Sequence, residues 1–251
     1  MKKLMLVLGL GLVLLFAPSA NASFILTDAF NSFNTTDLWY NPSYNGGWAE
    51  VENGYLSLGT TVNVPSGRGI ASSLFSLSGN FNTYVDYDLA NFNDWYSSAS
   101  MYMWATDGSF GMRIGRIYLG ENHDNYESIY YDYFDGGWQG QHFVSTTDMT
   151  GKFRMTRTGD QLGIYYWSGG WTLANSFSTN SASNVTVAFD VASEGNFPPV
   201  EAHLDNFYAH ADGFANVDSK YLTAAPEPGT FILLGAGLMG LGAVSRIRRK
   251  R

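Results

Sequence analysis

Between residues 23 and 210, apolar and polar positions alternate with a period of two in one short stretch after another. Thr83 to Leu89 (TYVDYDL), Ser100 to Thr106 (SMYMWAT), Met112 to Leu119 (MRIGRIYL), Ser128 to Phe134 (SIYYDYF) and Asn184 to Val191 (NVTVAFDV) each turn every second residue to one side. That is the pattern of strands with one buried and one polar face. Turn-forming pairs punctuate them: Asn53-Gly54, Asp107-Gly108, Asp135-Gly136-Gly137, Gly159-Asp160 and Ser168-Gly169-Gly170. About a dozen short strands over roughly 190 residues predict an all-β fold, a β-sandwich with no long helix between residues 23 and 220. The triplet GGW ends at Trp48, Trp138 and Trp171. Its irregular spacing excludes a solenoid or propeller repeat, and each triplet reads as a turn whose following strand opens with a Trp.

The two ends break the alternation. Lys2 and Lys3 precede an apolar run from Leu4 to Phe16, followed by Pro18 and Ala20-Asn21-Ala22. This is the order of a secretory signal peptide over residues 1–22, with Ala20 and Ala22 as the small side chains that signal peptidase accepts and Ser23 as the first residue of the mature chain. At the other end, an apolar run from Thr230 to Val244 leads into Arg246, Arg248, Arg249, Lys250 and Arg251. A run of about 15 residues is short for a spanning helix, but the basic cluster resists translocation and holds that end in the cytoplasm. A transmembrane helix over 230–245, with the body outside the membrane, is expected. Pro226 and Pro228 disfavour helix and keep the segment before it extended and open to a processing enzyme. Gly235 to Gly240 spells G-x-G-x-x-G, but no acidic residue stands about 20 positions on, so helix-packing glycines are the better reading. The expected organisation is a signal peptide at 1–22, a sandwich domain at 23–212, a linker at 213–225 and a tail at 226–251.

Composition sharpens the picture of the body. A chain of 251 residues, 45% hydrophobic and 16% aromatic, has the material for one packed domain. With no cysteine, disulfides, thiolate metal sites and a cysteine nucleophile are excluded. The net charge of −8 understates the acidity of the body, because seven of the 14 Lys and Arg lie in the two terminal segments. The remaining seven face 21 acids, a balance of −14 that repels nucleic acid and anionic membrane surfaces. Cations or neutral polymers suit such a body better.

Candidate chemistry is sparse. Glu50 and Glu52 in WAEVENG share a strand face with Trp48 at a spacing of about 6–7 Å, within the range of a glycosidase pair, but they adjoin the Asn53-Gly54 turn, as a solvated strand end would. His123, His142, His203 and His210 are scattered and no G-x-S-x-G elbow is present. The separation of His203 and His210 by seven residues puts them on opposite faces of a strand. Calcium would find oxygens in Asp86, Asp88, Asp132 and the stretch Ala90 to Asp94, with a solvated acidic surface as the alternative. For sugar, Tyr84, Asp86 and Asp88 point to one side of their strand, and Tyr102 and Trp104 to one side of theirs. Flat rings beside hydrogen-bonding carboxylates are what a sugar face needs. If the two faces coincide on a concave sheet they form a shallow glycan groove; if they coincide inside the sandwich, the rings are core.

Two resemblances add to this reading. Pro226-Glu227-Pro228, the apolar run and the basic terminus resemble, in that order, the PEP-CTERM sorting signal of exopolysaccharide-producing Gram-negative bacteria. The resemblance implies recognition by an exosortase, transient anchoring in the inner membrane, and delivery to the cell surface or beyond. Gly151 to Trp171 (GKFRMTRTGDQLGIYYWSGGW) and Glu201 to His210 (EAHLDNFYAH) resemble a hairpin and the closing strand of concanavalin-like lectin/glucanase jelly rolls. In that closing strand Leu204 and one aromatic are expected to be buried. β-Glucan-cleaving members of that group would carry E-x-D-x-E or its one-residue-longer variant, and neither occurs here. That fold hosts enzymes, lectins and inert modules alike; without a catalytic motif, the expectation is a non-enzymatic surface or biofilm-matrix protein, with contact to polysaccharide as its favoured role. A glycan-processing enzyme and a purely structural matrix component stand as the alternatives.

Overall fold

The computed structural model describes residues 23–30, 37–61, 66–92, 96–120, 127–193 and 199–225. The signal peptide, Pro226-Glu227-Pro228, the basic cluster and the helix expected over 230–245 lie outside the described residues, as does His123.

Among the described residues sixteen strands pair into one continuous antiparallel sheet that doubles over on itself. The first layer runs in the order β2 (Trp39–Tyr40), β5 (Arg68–Ser73), β14 (Val185–Ser193), β7 (Ser97–Ala105), β8 (Phe110–Tyr118), β9 (Glu127–Asp135) and β10 (Trp138–Ser145). The second runs β13 (Trp171–Ser178), β12 (Gln161–Trp167), β11 (Thr150–Thr158), β6 (Ser76–Asn91) and β15 (Glu201–Ala215). Beyond β15 lie β4 (Tyr55–Thr60), which pairs with β3 (Gly47–Glu52), and β1 (Phe24–Asp28), which pairs with β16 (Leu222–Ala224). The layers join where Val185 of β14 meets Leu77 of β6. Among the described residues helix is confined to 3-10 turns, at Ser219–Tyr221 and at Asp37, so the body is all-β as its alternation predicts. The stretch expected as a linker carries the end of β15, this turn and β16.

The inner faces are the apolar halves of the alternating stretches. Met101, Met103 and Ala105 of β7, Met112 and Ile114 of β8, and Val187, Phe189 and Val191 of β14 face Val85, Phe153, Ile164 and Phe207 of the other layer in one core. Rings interlock across it: Phe189 lies edge-on to Phe207 at 5.8 Å, and Tyr133 stacks on Phe177 at 4.2 Å. Each fully buried large side chain contributes about 1.5–3 kcal/mol.

One strand departs from simple alternation. In β15 the pairing with β6 shifts between Asp205 and Tyr208, and Asn206 adopts a left-handed φ of 52°. The extra residue of this bulge resets the phase, so Leu204 and Phe207 both reach the core although they are three apart. It also overturns the expectation for the histidines. Ala202, Leu204, Ala209 and Ala211 are buried, which turns His203 and His210 to the same outer face.

Candidate functional site

The polar halves of the first layer's strands place a row of charged and aromatic side chains on its outer face. Cross-strand register brings Tyr102 of β7 opposite Arg113 of β8, and Arg113 opposite Asp132 of β9. Arg113 donates from Nε to Asp132 Oδ1 at 2.9 Å and from Nη2 to Oδ2, and from Nη1 to the Tyr102 hydroxyl at 3.2 Å. From the other side, Arg68 of β5 donates to the same hydroxyl at 3.1 Å and to Asp190 of β14 at 2.9 Å. Asp190, Arg68, Tyr102, Arg113 and Asp132 thus form one chain of charge-assisted hydrogen bonds across five adjacent strands. Both carboxylates are buried, and each is matched by a guanidinium, which a buried charge requires.

Protonation follows from these surroundings. Burial pushes the Asp190 carboxyl above the usual carboxylate range, more than Arg68 pulls it down. Burial works against the charge of both Arg68 and Arg113, but hydrogen-bonding and anionic neighbours outweigh it and hold both above the ordinary arginine value. Tyr130 of β9, fully buried under the Arg113 guanidinium and hydrogen-bonded to Ser100, is pushed up by burial.

Beside the polar row stand three rings. Trp104 meets Trp138 edge-on at 5.5 Å and Phe134 at 5.7 Å, and Phe134 meets Trp138 at 5.9 Å. Trp138, which opens β10 after its Gly-Gly turn, is 55% exposed. Two outward glycines of β8 make this packing feasible. A Cβ on Gly111 would lie 2.6 Å from the Trp104 ring, and one on Gly115 2.7 Å from the Tyr130 ring. On the same face a cleft of about 300 Å³ is lined by Tyr44, Arg68, Arg113, Tyr130, Gln141 and Ser193 among others.

The predicted sugar-face residues separate into two groups. Tyr102 and Trp104 are half-buried on the outer face just described. Tyr84, Asp86 and Asp88 also point outward, but from β6, in the second layer. They therefore do not combine with Tyr102 and Trp104 into one groove. Consecutive strands β6 and β7 cross from one layer to the other, and alternation within a strand carries no information about that crossing. Tyr84 stacks on Tyr208 at 4.9 Å, and Asp86 is held by Lys152 at 2.7 Å. Two of the expected calcium ligands, Asp86 and Asp132, are thus each taken by a protein cation. No group of three or more metal-binding side chains occurs among the described residues; Asn93 and Asp94 of the expected stretch lie outside them.

Glu50 and Glu52 are exposed on β3, beside Asn53 and Gly54, both in the left-handed region. They form a solvated strand end rather than a cleft wall. His203 stacks on Tyr55 at 3.9 Å and contacts Glu201 at 2.7 Å, and His142 stacks on Tyr131 at 5.3 Å. Arg68, Arg113 and Asp190 were missed in the sequence. Alternation in MRIGRIYL marks Arg113 as outward, but its partners come from strands that only the fold brings alongside.

Residues 224–250 match the PEP-CTERM protein-sorting motif. The tail is therefore a sorting signal, which indicates export and a membrane-associated sorting step. No curated protein sequence matches the chain. Several solved structures share the fold of the body. A Bacillus licheniformis beta-glucanase is 16% identical with a TM-score of 0.53, covering 74% of this chain and 97% of its own. LamAcat from Zobellia galactanivorans is 11% identical with a TM-score of 0.56, covering 77% and 99%. The metal-free form of lectin I-B4 from Griffonia simplicifolia is 14% identical with a TM-score of 0.55, covering 76% and 99%. At such identities the likeness establishes the fold, a concanavalin-like jelly roll, and nothing finer.

Proposed function

We propose that this chain is a surface or extracellular-matrix protein, freed of residues 1–22 by signal peptidase and processed at Pro226-Glu227-Pro228 by an exosortase, whose body holds a polysaccharide on the outer face of the first layer without cleaving it. The observation that carries this reading is the exposed ring of Trp138, backed by Trp104 and Phe134, beside the fixed donors of Arg113, Tyr102 and Arg68. A pyranose laid against Trp138 buries its C–H face on the indole, and its hydroxyls reach the polar row. The two ion pairs hold those donors in place beforehand, so little side-chain entropy is lost on binding. The glucanase and lectin among the structural neighbours are consistent with a sugar ligand.

A non-catalytic role fits the carboxylates. A glycosidase needs one carboxyl to give a proton and a second to act as base or nucleophile. Here Asp132 is gripped at both oxygens by Arg113, and Asp190 is paired with Arg68. No cofactor enters the reading.

Binding of the full chain to a glycan array tests it. A hit that Trp138→Ala abolishes while the fold persists supports the proposal. Absence of any hit would leave a purely structural matrix protein, and hydrolysis of a bound glycan lost in Asp190→Asn would make it an enzyme.

A further inference from the structure

The two outer faces repeat one arrangement. Phe134-Asp135-Gly136-Gly137-Trp138 joins β9 to β10, and Trp167-Ser168-Gly169-Gly170-Trp171 joins β12 to β13. In each hairpin the flanking aromatics are register partners and meet edge to face, at 5.9 Å and 5.4 Å. In each, an arginine two strands away is bracketed by two rings. Arg113 lies 4.9 Å from Tyr130 and 5.7 Å from Trp138, and Arg154 lies 5.1 Å from Tyr165 and 5.4 Å from Trp171.

The two sites differ at the guanidinium, where Arg113 also has the Tyr102 ring at 5.5 Å and donates to its hydroxyl, and they differ in counter-charge. Arg113 has Asp132 as its counter-charge, whereas the Nε of Arg154 donates to the neutral amide oxygen of Asn82 at 2.7 Å. Its two Nη groups have no hydrogen-bond partner among the described residues. Of the seven cationic side chains between residues 23 and 225, the other six are all tied to a carboxylate or a main-chain carbonyl. Arg68 holds Asp190, Arg113 Asp132, Lys152 Asp86 and Lys220 Asp37, while Arg116 and Arg157 donate to main-chain oxygens. In a body with threefold more acids than bases, Arg154 alone of the seven has neither a carboxylate nor a main-chain carbonyl as partner among the described residues.

We propose that the outer face of the second layer is a separate site for a carboxylate-bearing sugar, a uronate unit of an acidic glycan, whose carboxylate supplies at the Nη groups of Arg154 the counter-charge that Asp132 supplies to Arg113. The planar fork of the two Nη groups matches a carboxylate. Tyr165 and Trp171 shield the guanidinium faces from water, which strengthens the pair. Trp167, 39% exposed, and Leu173, 51% exposed, offer apolar surface for the sugar ring beside it. This site does not depend on the first-layer face binding anything.

Titration calorimetry of the full chain with tetragalacturonate and tetraguluronate, each beside its methyl ester, tests the assignment. The ester keeps ring and shape and removes the charge. At least one acid should bind at least about tenfold more tightly than its ester. Arg154→Gln should erase that preference. Asn82→Asp, which supplies the missing carboxylate from within the protein, should erase it with the arginine still in place and the packing nearly unchanged. Trp171→Ala should weaken acid and ester alike, and Trp138→Ala on the opposite face should change neither. Equal affinity for acid and ester, no binding of either acid, or a preference that survives both Arg154→Gln and Asn82→Asp would overturn the proposal. Loss of acid binding in Trp138→Ala would also overturn it, by placing the ligand on the first-layer face and leaving the reading of that face intact.

Discussion

The guanidinium of Arg113 lies 5.7 Å from the centre of the Trp138 indole, two strands away, while two of its nitrogens are bound to Asp132. One side chain thereby couples the buried ion pair to the most exposed ring of the face. The orientation of Trp138 rests on a contact whose geometry is set beneath it, and a change at Asp132 should be felt at the surface.

Asp132→Asn should be strongly destabilising, because it leaves Arg113 largely buried and without a counter-charge. Breaking such a pair costs roughly 3–5 kcal/mol, and replacing both partners by apolar residues of similar volume costs much less. Urea unfolding of Asp132→Asn and of the double variant Arg113→Met/Asp132→Leu measures the difference. Equal losses in the two would show that the charge pairing is not what holds this face.

Gly111→Ala introduces a Cβ 2.6 Å from the Trp104 ring. The indole must move, and with it the contacts to Phe134 and Trp138. A cost of about 1–3 kcal/mol is expected from overpacking, together with a shift in tryptophan fluorescence. An unchanged spectrum and melting temperature would mean that the Trp104 slot has slack.

Tyr87, in the core of the second layer, titrates late. Burial pushes its phenol up to about 12, with Arg116 pulling weakly the other way. Between the ordinary tyrosine value of about 10 and this value, the unfolded chain releases a proton that the folded chain retains. The contribution to stability is therefore full below pH 10 and is lost as pH rises through about 12, on the order of 2–3 kcal/mol in total. Alkaline unfolding followed by tyrosinate absorbance should show this loss in the parent and not in Tyr87→Phe.

Replacing Pro226, Glu227 and Pro228 by alanine leaves the apolar run and the basic cluster in place, so membrane insertion persists and recognition is removed. In a host with the matching exosortase, the variant should remain at the length that includes the tail, while the parent is shortened. Equal shortening of both, read on an immunoblot, would show the motif to be only a spacer.

Much of this was legible in the chain. Alternation in SMYMWAT puts Tyr102 and Trp104 on one face of their strand and Met101, Met103 and Ala105 on the other, as found, because a strand's faces follow from its period alone, but period does not say which face is buried. The layer to which each strand belongs was not legible. β6 and β7 are neighbours in sequence and lie in opposite layers, which separates Tyr84, Asp86 and Asp88 from Tyr102 and Trp104. Phase was lost at the Asp205–Asn206 bulge, where one left-handed residue returns His203 and His210 to the same side. The Arg68–Asp190 pair spans 122 positions, and no local pattern predicts a contact at that range.

The pairing of β1 with β15 and β16 has a consequence in time. The first strand of the body can find its place only beside the last two, so its backbone groups have no strand to bond until nearly all of the chain is available. Closing so long a loop is entropically costly, and folds built from such distant pairings assemble slowly. The strand that completes β1 is β16, and the sorting motif begins within it, at residue 224. The pairing that closes the domain therefore waits for the last residues before the sorting motif.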